Sequence, residues 1–459
     1  MKNPELVPEK IKTILKNTGL WDINPANLFR ITWKNEPKAS GGLYGDVNYI
    51  ELPESLTGVK ARIVCIVGKY FPTGAHKVGA TYGCLAPALV SGNFDPINEK
   101  AVWPSTGNYC RGGAYNSALL GCDSIAILPE EMSQERFEWL QKVAGEVIPT
   151  PGCESNVKEI YDKCHELEAT RNNIKIFNQF AEFGNHLWHY EVTGGAMEEV
   201  FQKIKTPQST VAGVCVTSGS AGTVASGDFM KSLHRECKVA VGEAVQCPTL
   251  LNNGFGGHKI EGIGDKHIPW VHNVKNTDMV MAVDDDDCMN IVRLFNDPAG
   301  REYLKSQGVP SDVVDRLELI GISGVANILM SIKLAKYYEC TSDDIIFTVL
   351  TDSMELYASR YKEMVEKEPV YDKAHAARDF HRYILAQKTD YMLELSYQDR
   401  KRVHNLKYYT WVEQQGKTYE EINRQWYDRE YWSSIYEKTE EIDRMIEQFN
   451  KDTGVLDSL

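Results

Sequence analysis

The stretch Val211-Ala212-Gly213-Val214-Cys215-Val216-Thr217 runs directly into Ser218-Gly219-Ser220-Ala221-Gly222-Thr223. Its first half is a short apolar, β-branched run, the pattern of a strand buried on both faces. In its second half the glycines let the backbone approach closely, and consecutive N–H groups form an anion nest before a helix. A strand that ends in such a loop and opens a helix is the repeating unit of an α/β fold. The nest suits a phosphate, which many ligands carry, and the Gly-x-Gly-x-x-Gly pattern of dinucleotide sites is absent.

Working outward, the same alternation extends from about Ala61 to Arg360. Strands are expected at Ala61–Val67, Ser124–Leu128, Val239–Ala244, Met279–Val283 and Ile345–Leu350, with helices such as Gln134–Ala144 and Val325–Tyr338 between them. That order predicts a mainly parallel sheet. After Arg360 the chain becomes rich in Tyr, Trp, Glu, Lys and Arg, has few glycines and shows hardly a strand pattern. A helical extension over 361–459 is expected, packing its aromatic residues on the main body or on a second subunit.

The chain of 459 residues carries a formal net charge of −14. Without a basic face, a broad nucleic-acid footprint and docking to anionic lipid are both excluded. The N-terminus Met1–Lys16 interleaves charges throughout and lacks the apolar core of a signal peptide, and no apolar run nears membrane-spanning length. The 11 cysteines form no Cys-x-x-Cys pair, so neither a disulfide framework nor a structural zinc is expected, and the cytoplasm is the expected compartment. The acidic run Asp284–Asp287 directly precedes an apolar-periodic helix (Met289–Phe295), where it complements the helix dipole, and no metal site is read there. His186 and His189 are read as satisfied structural histidines.

Three further segments carry chemistry. In Pro72-Thr73-Gly74-Ala75-His76-Lys77-Val78-Gly79-Ala80, a lysine sits just inside a helix that follows a glycine turn. Partial burial at that point favours the neutral, nucleophilic amine. Ser105-Thr106-Gly107-Asn108 ends an apolar run and precedes a helix, so its hydroxyls and N–H groups suit a carboxylate or phosphate, or a plain N-cap. Leu350-Thr351-Asp352-Ser353 ends a strand at the carboxyl edge of the expected sheet, where open α/β folds bind ligands.

Together and in this order, these segments resemble the fold type II, or β-family, pyridoxal-phosphate enzymes: cysteine synthase, cystathionine β-synthase and the tryptophan synthase β subunit. The resemblance covers roughly residues 60–360. Thr73–Lys77 is similar to the Schiff-base segment of the tryptophan synthase β chain, and Ser105–Asn108 to the cysteine synthase carboxylate loop. Asn178-Gln179-Phe180 resembles the glutamine segment that supports that loop. His258-Lys259-Ile260-Glu261-Gly262-Ile263-Gly264 and Gly321-Ile322-Ser323-Gly324 resemble cysteine synthase segments, and Leu350–Ser353 a cystathionine synthase segment.

This resemblance implies two open α/β domains with a helical C-terminal extension. The large cofactor-binding domain would span 1–96 and 199–360, and a smaller mobile domain, 97–198, would carry the substrate carboxylate. Pyridoxal 5'-phosphate is the implied cofactor, with Lys77 as the Schiff-base lysine and His76 beside it. Gly219, Ser220, Ala221, Gly222 and Thr223 would hold the phosphate, Asn108 the ring hydroxyl, and Ser353 the pyridine nitrogen. A one-residue shift would bring Asp352 there instead. Ser105, Thr106, Gly107 and Gln179 would hold the substrate carboxylate.

The implied reaction is β-elimination on a small amino acid of the serine or cysteine type, through an aminoacrylate, as in a lyase. β-Replacement of the cysteine synthase kind is the alternative. A catalytically silent scaffold or sensor is a third reading, against which intact Lys77, Asn108 and Ser353 stand. A homodimer or higher homo-oligomer is expected. The chain departs from the family in placing Tyr109, Cys110 and Arg111 where cysteine synthases have small residues, and in lacking the tryptophan synthase glutamate loop. Arg111 is therefore a candidate partner for an anionic substrate group, or else part of a structural ion pair.

Overall fold

The computed structural model describes residues 1–105, 107–152, 156–264 and 266–454. Eleven strands lie among them: β1 (Tyr49–Leu52), β2 (Arg62–Val67), β3 (Lys100–Pro104), β4 (Ser124–Pro129), β5 (Glu146–Thr150), β6 (Ile174–Ile176), β7 (Thr210–Thr217), β8 (Lys238–Ala244), β9 (Met279–Val283), β10 (Asp344–Leu350) and β11 (Met392–Glu394). All six expected strands are present. They form two sheets, a seven-stranded one in the order β1-β2-β10-β7-β8-β9-β11 and a four-stranded one in the order β5-β4-β3-β6.

In the larger sheet β2, β10, β7, β8 and β9 pair in parallel, and only the edge strands β1 and β11 are antiparallel. The smaller sheet is parallel throughout. Parallel strands must be covered on both faces, which is why β2, β7 and β10 read as almost unbroken apolar runs and are almost wholly buried. The helices that matter for the site are α1 (Lys77–Val90), α2 (Asn108–Leu119), α3 (Gln134–Val143), α4 (Phe183–Trp188), α5 (Val224–Leu233) and α6 (Ile322–Tyr337). Asp284 caps the helix that follows it, accepting bonds from the N–H groups of Asp286 and Asp287.

Packing near the expected boundaries crosses between the layers. Trp188, Val192, Met197 and Phe201 share one core cluster with Val64, Val214 and Phe347. The chain has therefore rejoined the large layer before residue 198. In the other direction Ala80, Cys84, Leu85 and Phe94 pack with Trp103 and Leu128 of the small layer, ahead of residue 97. The extension also supplies a strand: β11 pairs antiparallel with β9. Three residues are too few to show a period in sequence; an open sheet edge selects them in space.

The extension continues in α7 (Tyr397–Asn405), α8 (Tyr419–Tyr427), α9 (Tyr431–Tyr436) and α10 (Lys438–Thr453). It packs on its own chain. The Trp411 indole donates to the Ile268 carbonyl at 2.8 Å, and Tyr436 OH to Asp228 Oδ2 at 2.9 Å. The ammonium of Lys407 is buried against the carbonyls of Trp270 and His272 and the Gln425 amide oxygen. Burial holds its pKa well below the ordinary lysine value. No helix among the described residues is long and apolar enough to cross a membrane, and the described cysteines are free thiols.

Candidate active site

Because β2, β7 and β10 run parallel, their carboxyl ends collect at one edge of the large sheet, and the carboxyl end of β3 faces them from the small one. A cavity of about 50 Å³ lies there, lined by residues from both layers. From β2 the chain crosses a tight turn in which Thr73 and Gly74 both take left-handed backbone angles, φ 67° and 69°. The turn delivers His76 against Thr351 (N–H to carbonyl, 3.3 Å) and starts α1 at Lys77.

The Lys77 ammonium donates to Ser220 Oγ at 3.0 Å and to Gln179 Oε1 at 3.4 Å. Gln179 in turn donates from Nε2 to Ser105 Oγ at 3.0 Å. Three segments that lie about 30 to 140 residues apart in the chain thus converge on one amine. Asn185, a residue that no motif flagged, fastens them from below. Its Nδ2 donates to the Gln179 carbonyl at 2.9 Å and to Ser220 Oγ at 3.0 Å.

The glycine loop is held open by its own composition. Ala221 adopts φ 58°, and a Cβ on Gly219 would lie 2.7 Å from the Gly262 carbonyl oxygen. One on Gly222 would overlap the Asn185 side chain. Only glycine fits at these two positions. The loop leads into α5, so its N–H groups and the positive end of a ten-residue helix face the cavity side. Behind Lys77, His76 and His189 meet edge to face with centroids 4.8 Å apart. Burial, and then the neighbouring positive charges, push both well below the usual histidine pKa, so both rings are neutral at pH 7.

Of the residues singled out in the sequence, His76, Lys77, Ser105, Asn108, Gln179, Gly219, Ser220, Ala221 and Thr223 line the cavity. Gly107 and Gly222 lie in the same two loops, and Thr106 falls outside the described residues. Ser353 is buried but does not line the cavity; Thr351 and Ser323 do. Asp352 is buried as well, with its Oδ2 taken by Asn108 Nδ2 at 2.6 Å and Tyr357 OH at 2.7 Å. Glu261, Ile263 and Ser323 belong to segments that carried the family resemblance without being assigned a role, and all three line the cavity.

Arg111 is not brought to the cavity. Its guanidinium packs against a pair of indoles set edge to face, 5.0 Å from the Trp21 ring centre and 5.2 Å from that of Trp139. Burial, reinforced by repulsion from Arg136, lowers its pKa to about 10, still well above neutrality. The long side chain leaves α2 toward the two indoles, where cation–π contact repays desolvation. Arg111→Gln is therefore expected to cost about 1–2 kcal/mol of stability. The ratio of specificity constants for anionic and neutral substrates should stay as it was; a selective loss with the anionic one would return Arg111 to the substrate.

The arginine at this edge is Arg136 of α3. It pairs with Glu261 at 2.9 Å and lies against Gly107, where an added Cβ would overlap the guanidinium. Glu261 is also held by Arg360 at 2.7 Å, and Arg360 reaches the Glu131 carbonyl.

Comparison with known proteins agrees with this geometry. Residues 44–300 match the family model described as pyridoxal-phosphate dependent enzyme. A probable cysteine synthase of Bacillus subtilis is 26% identical over 318 residues, which is 69% of this chain and 94% of that protein. A cysteine synthase of Staphylococcus aureus is 28% identical over 289 residues, covering 63% of this chain and 84% of the other. A hydrogen sulfide-producing enzyme of Fusobacterium nucleatum, crystallised as a variant with an alpha-aminoacrylate intermediate, superposes with a TM-score of 0.59 at 22% identity, over 76% of this chain and 96% of that one. The chain belongs to the pyridoxal-phosphate dependent enzyme family.

The residues present fit that cofactor. A lysine amine stands in the cavity, and a glycine loop at a helix N-terminus can take a phosphate. Among the described residues, His76 Nδ1 is a buried polar atom without a partner at its edge.

Proposed function

We propose that the protein catalyses β-elimination from a small amino acid of the serine or cysteine type, with Lys77 as the covalent anchor of pyridoxal 5'-phosphate. One observation carries this reading: the Lys77 amine stands between the glycine loop at Ser220 and the carboxylate loop reached through Gln179 and Ser105. When bound, the cofactor supplies an electron sink that acidifies the Cα proton of a linked amino acid and lets a group leave from Cβ.

The chain's own residues do the rest. Gly219–Thr223 would hold the phosphate by N–H groups at the α5 terminus. Ser105, Thr106, Gly107 and Gln179 would bind the substrate carboxylate, setting the Cα proton beside Lys77. Lys77 Nζ, steered by Ser220 and Gln179, would take that proton. The side chains at the end of β10 with no ionic role are hydroxyls, and Ser353 is proposed for the ring nitrogen. A neutral partner there leaves the ring a mild sink, which suits chemistry at Cβ over transamination. Ser353→Ala is expected to lower turnover about tenfold while cofactor loading stays near wild type. Should Thr351→Val show that pattern and Ser353→Ala none, the role passes to Thr351.

β-Replacement is the second reading, and one feature favours it. A groove of about 1,120 Å³ lined by Lys259, Arg293, Arg360, Arg382 and acidic neighbours shares Glu261 with the cavity, giving a second reactant an approach. The deciding assay offers serine, cysteine, O-acetylserine and threonine, with and without an added thiol. Ammonia with pyruvate (2-oxobutyrate from threonine) without the thiol supports elimination; a thioether with the thiol and no oxo acid without it support replacement, and no product from any of them overturns both. A homo-oligomer in the cytoplasm completes the proposal. Tyr397, Tyr409, Tyr419 and Tyr427 of the extension are exposed, and light scattering on the purified chain reads the oligomeric state directly.

A further inference from the structure

Asp352 is a buried carboxylate that the proposed reaction leaves without a task. Its Oδ2 receives Asn108 Nδ2 at 2.6 Å and Tyr357 OH at 2.7 Å. Asn108 opens α2 and lines the cavity from the small layer, whereas Asp352 follows β10 in the large one. The bond therefore ties the two layers together at the cavity wall. Room for it is built in: a Cβ on Gly321 would overlap Asp352 Oδ1, and the Gly321 N–H donates to the Asp352 carbonyl at 3.2 Å. Arg136 approaches Tyr357 OH at 3.4 Å and lies over its ring, placing a positive charge near the buried carboxylate.

We propose that Asp352 is a positioning residue that fixes which end of the Asn108 amide faces the cofactor. An asparagine amide has a donor end and an acceptor end of nearly equal shape, and a half-turn exchanges them. Burial raises the Asp352 pKa, while the Tyr357 and Asn108 donors and the Arg136 charge favour its ionised form; as a carboxylate it can only accept, so it holds the NH₂ end and forbids the half-turn. The second hydrogen of that NH₂ group is then the one available to an ionised ring oxygen. A neutral amide at 352 could face either end and would restore the ambiguity. This inference rests on the reading that Asn108 meets the ring hydroxyl. Asp352 itself does not line the cavity, and the inference assigns it no contact with the ring nitrogen.

The test is a double-mutant cycle on the full chain with wild type, Asp352→Asn, Asn108→Ala and the double variant. Each is titrated with pyridoxal 5'-phosphate by absorbance, and the visible band of the loaded protein and its thermal melt are recorded. Asp352→Asn is expected to bind the cofactor about tenfold more weakly and to shift the visible band. Asn108→Ala should do the same, and the double variant no more than Asn108→Ala alone, because the two act through one contact. Full additivity, or an Asp352→Asn protein with wild-type affinity and band, overturns the inference while leaving the Lys77 site standing. A wild-type chain that takes up no cofactor overturns both. Should Asp352→Asn not fold, Asp352→Ser carries the test. Its hydroxyl can donate as well as accept and so restores the ambiguity; the same band shift is expected, and an unchanged band overturns the proposal.

Discussion

Lys77→Ala is expected to leave a folded protein whose turnover falls by at least about a thousandfold. The substitution removes the covalent anchor and the base together, and a positioned proton-transfer group alone supplies about 10²–10⁴. Lys77 opens α1, and that helix is held in two core clusters by Val78 on the one hand and by Ala80, Cys84 and Leu85 on the other. The melt should therefore move little. Borohydride treatment of the wild type should fix the cofactor to the peptide containing Lys77, and Lys77→Ala should give no such adduct. An adduct on another lysine, or turnover near wild type, would remove Lys77 from the mechanism.

Arg136→Met should carry the largest stability cost of any single change at the site. The guanidinium is 1% exposed and its partner Glu261 is 7% exposed, so the substitution leaves a desolvated carboxylate with Arg360 alone. Breaking a buried pair from one side costs about 3–5 kcal/mol; the lower end applies here because Arg360 stays in place. Adding Glu261→Gln to Arg136→Met should recover part of the loss, since no unpaired charge then remains buried. Urea unfolding of the wild type and the two variants measures this, and a midpoint for Arg136→Met equal to wild type would refute it. A second effect follows from geometry. Arg136 joins the small layer to Glu261, as Glu135 joins it to Ser359 through bonds of 2.8 and 2.7 Å. We propose that these contacts hold the small layer closed over the cavity. The Arg136→Met chain should then be larger in solution scattering and leak more substrate before turnover.

How much of this was legible beforehand follows from the range of the forces involved. The strands β2, β4, β7, β8, β9 and β10 announce themselves as β-branched runs bounded by turn residues. The glycine loop does so because only glycine fits at Gly219 and Gly222, and the lysine turn because Gly74 takes a left-handed angle. Each is a local steric statement that a few neighbouring residues settle. Parallel order follows from the alternation with helices, and it places the loops after β2, β3, β7 and β10 at one edge. Lys77, Ser105, Asn108 and Ser220 lie in those loops; Gln179, after β6, was named only through the family resemblance.

Which charged side chain reaches that edge was decided only in three dimensions. Arg111 stands three residues after Asn108, yet its guanidinium packs against Trp21 and Trp139. Arg136, from another helix, meets Glu261 instead. Neither choice has a periodic signature, because a long flexible side chain goes where a distant partner repays its desolvation. The same holds for Asn185 under the lysine and for Asp352 turned toward Asn108. It holds too for the three residues of β11 recruited by the open edge of β9. Local stereochemistry wrote the scaffold and its loops into the sequence; the pairing of buried polar groups depends on surfaces that exist only once the two layers have packed.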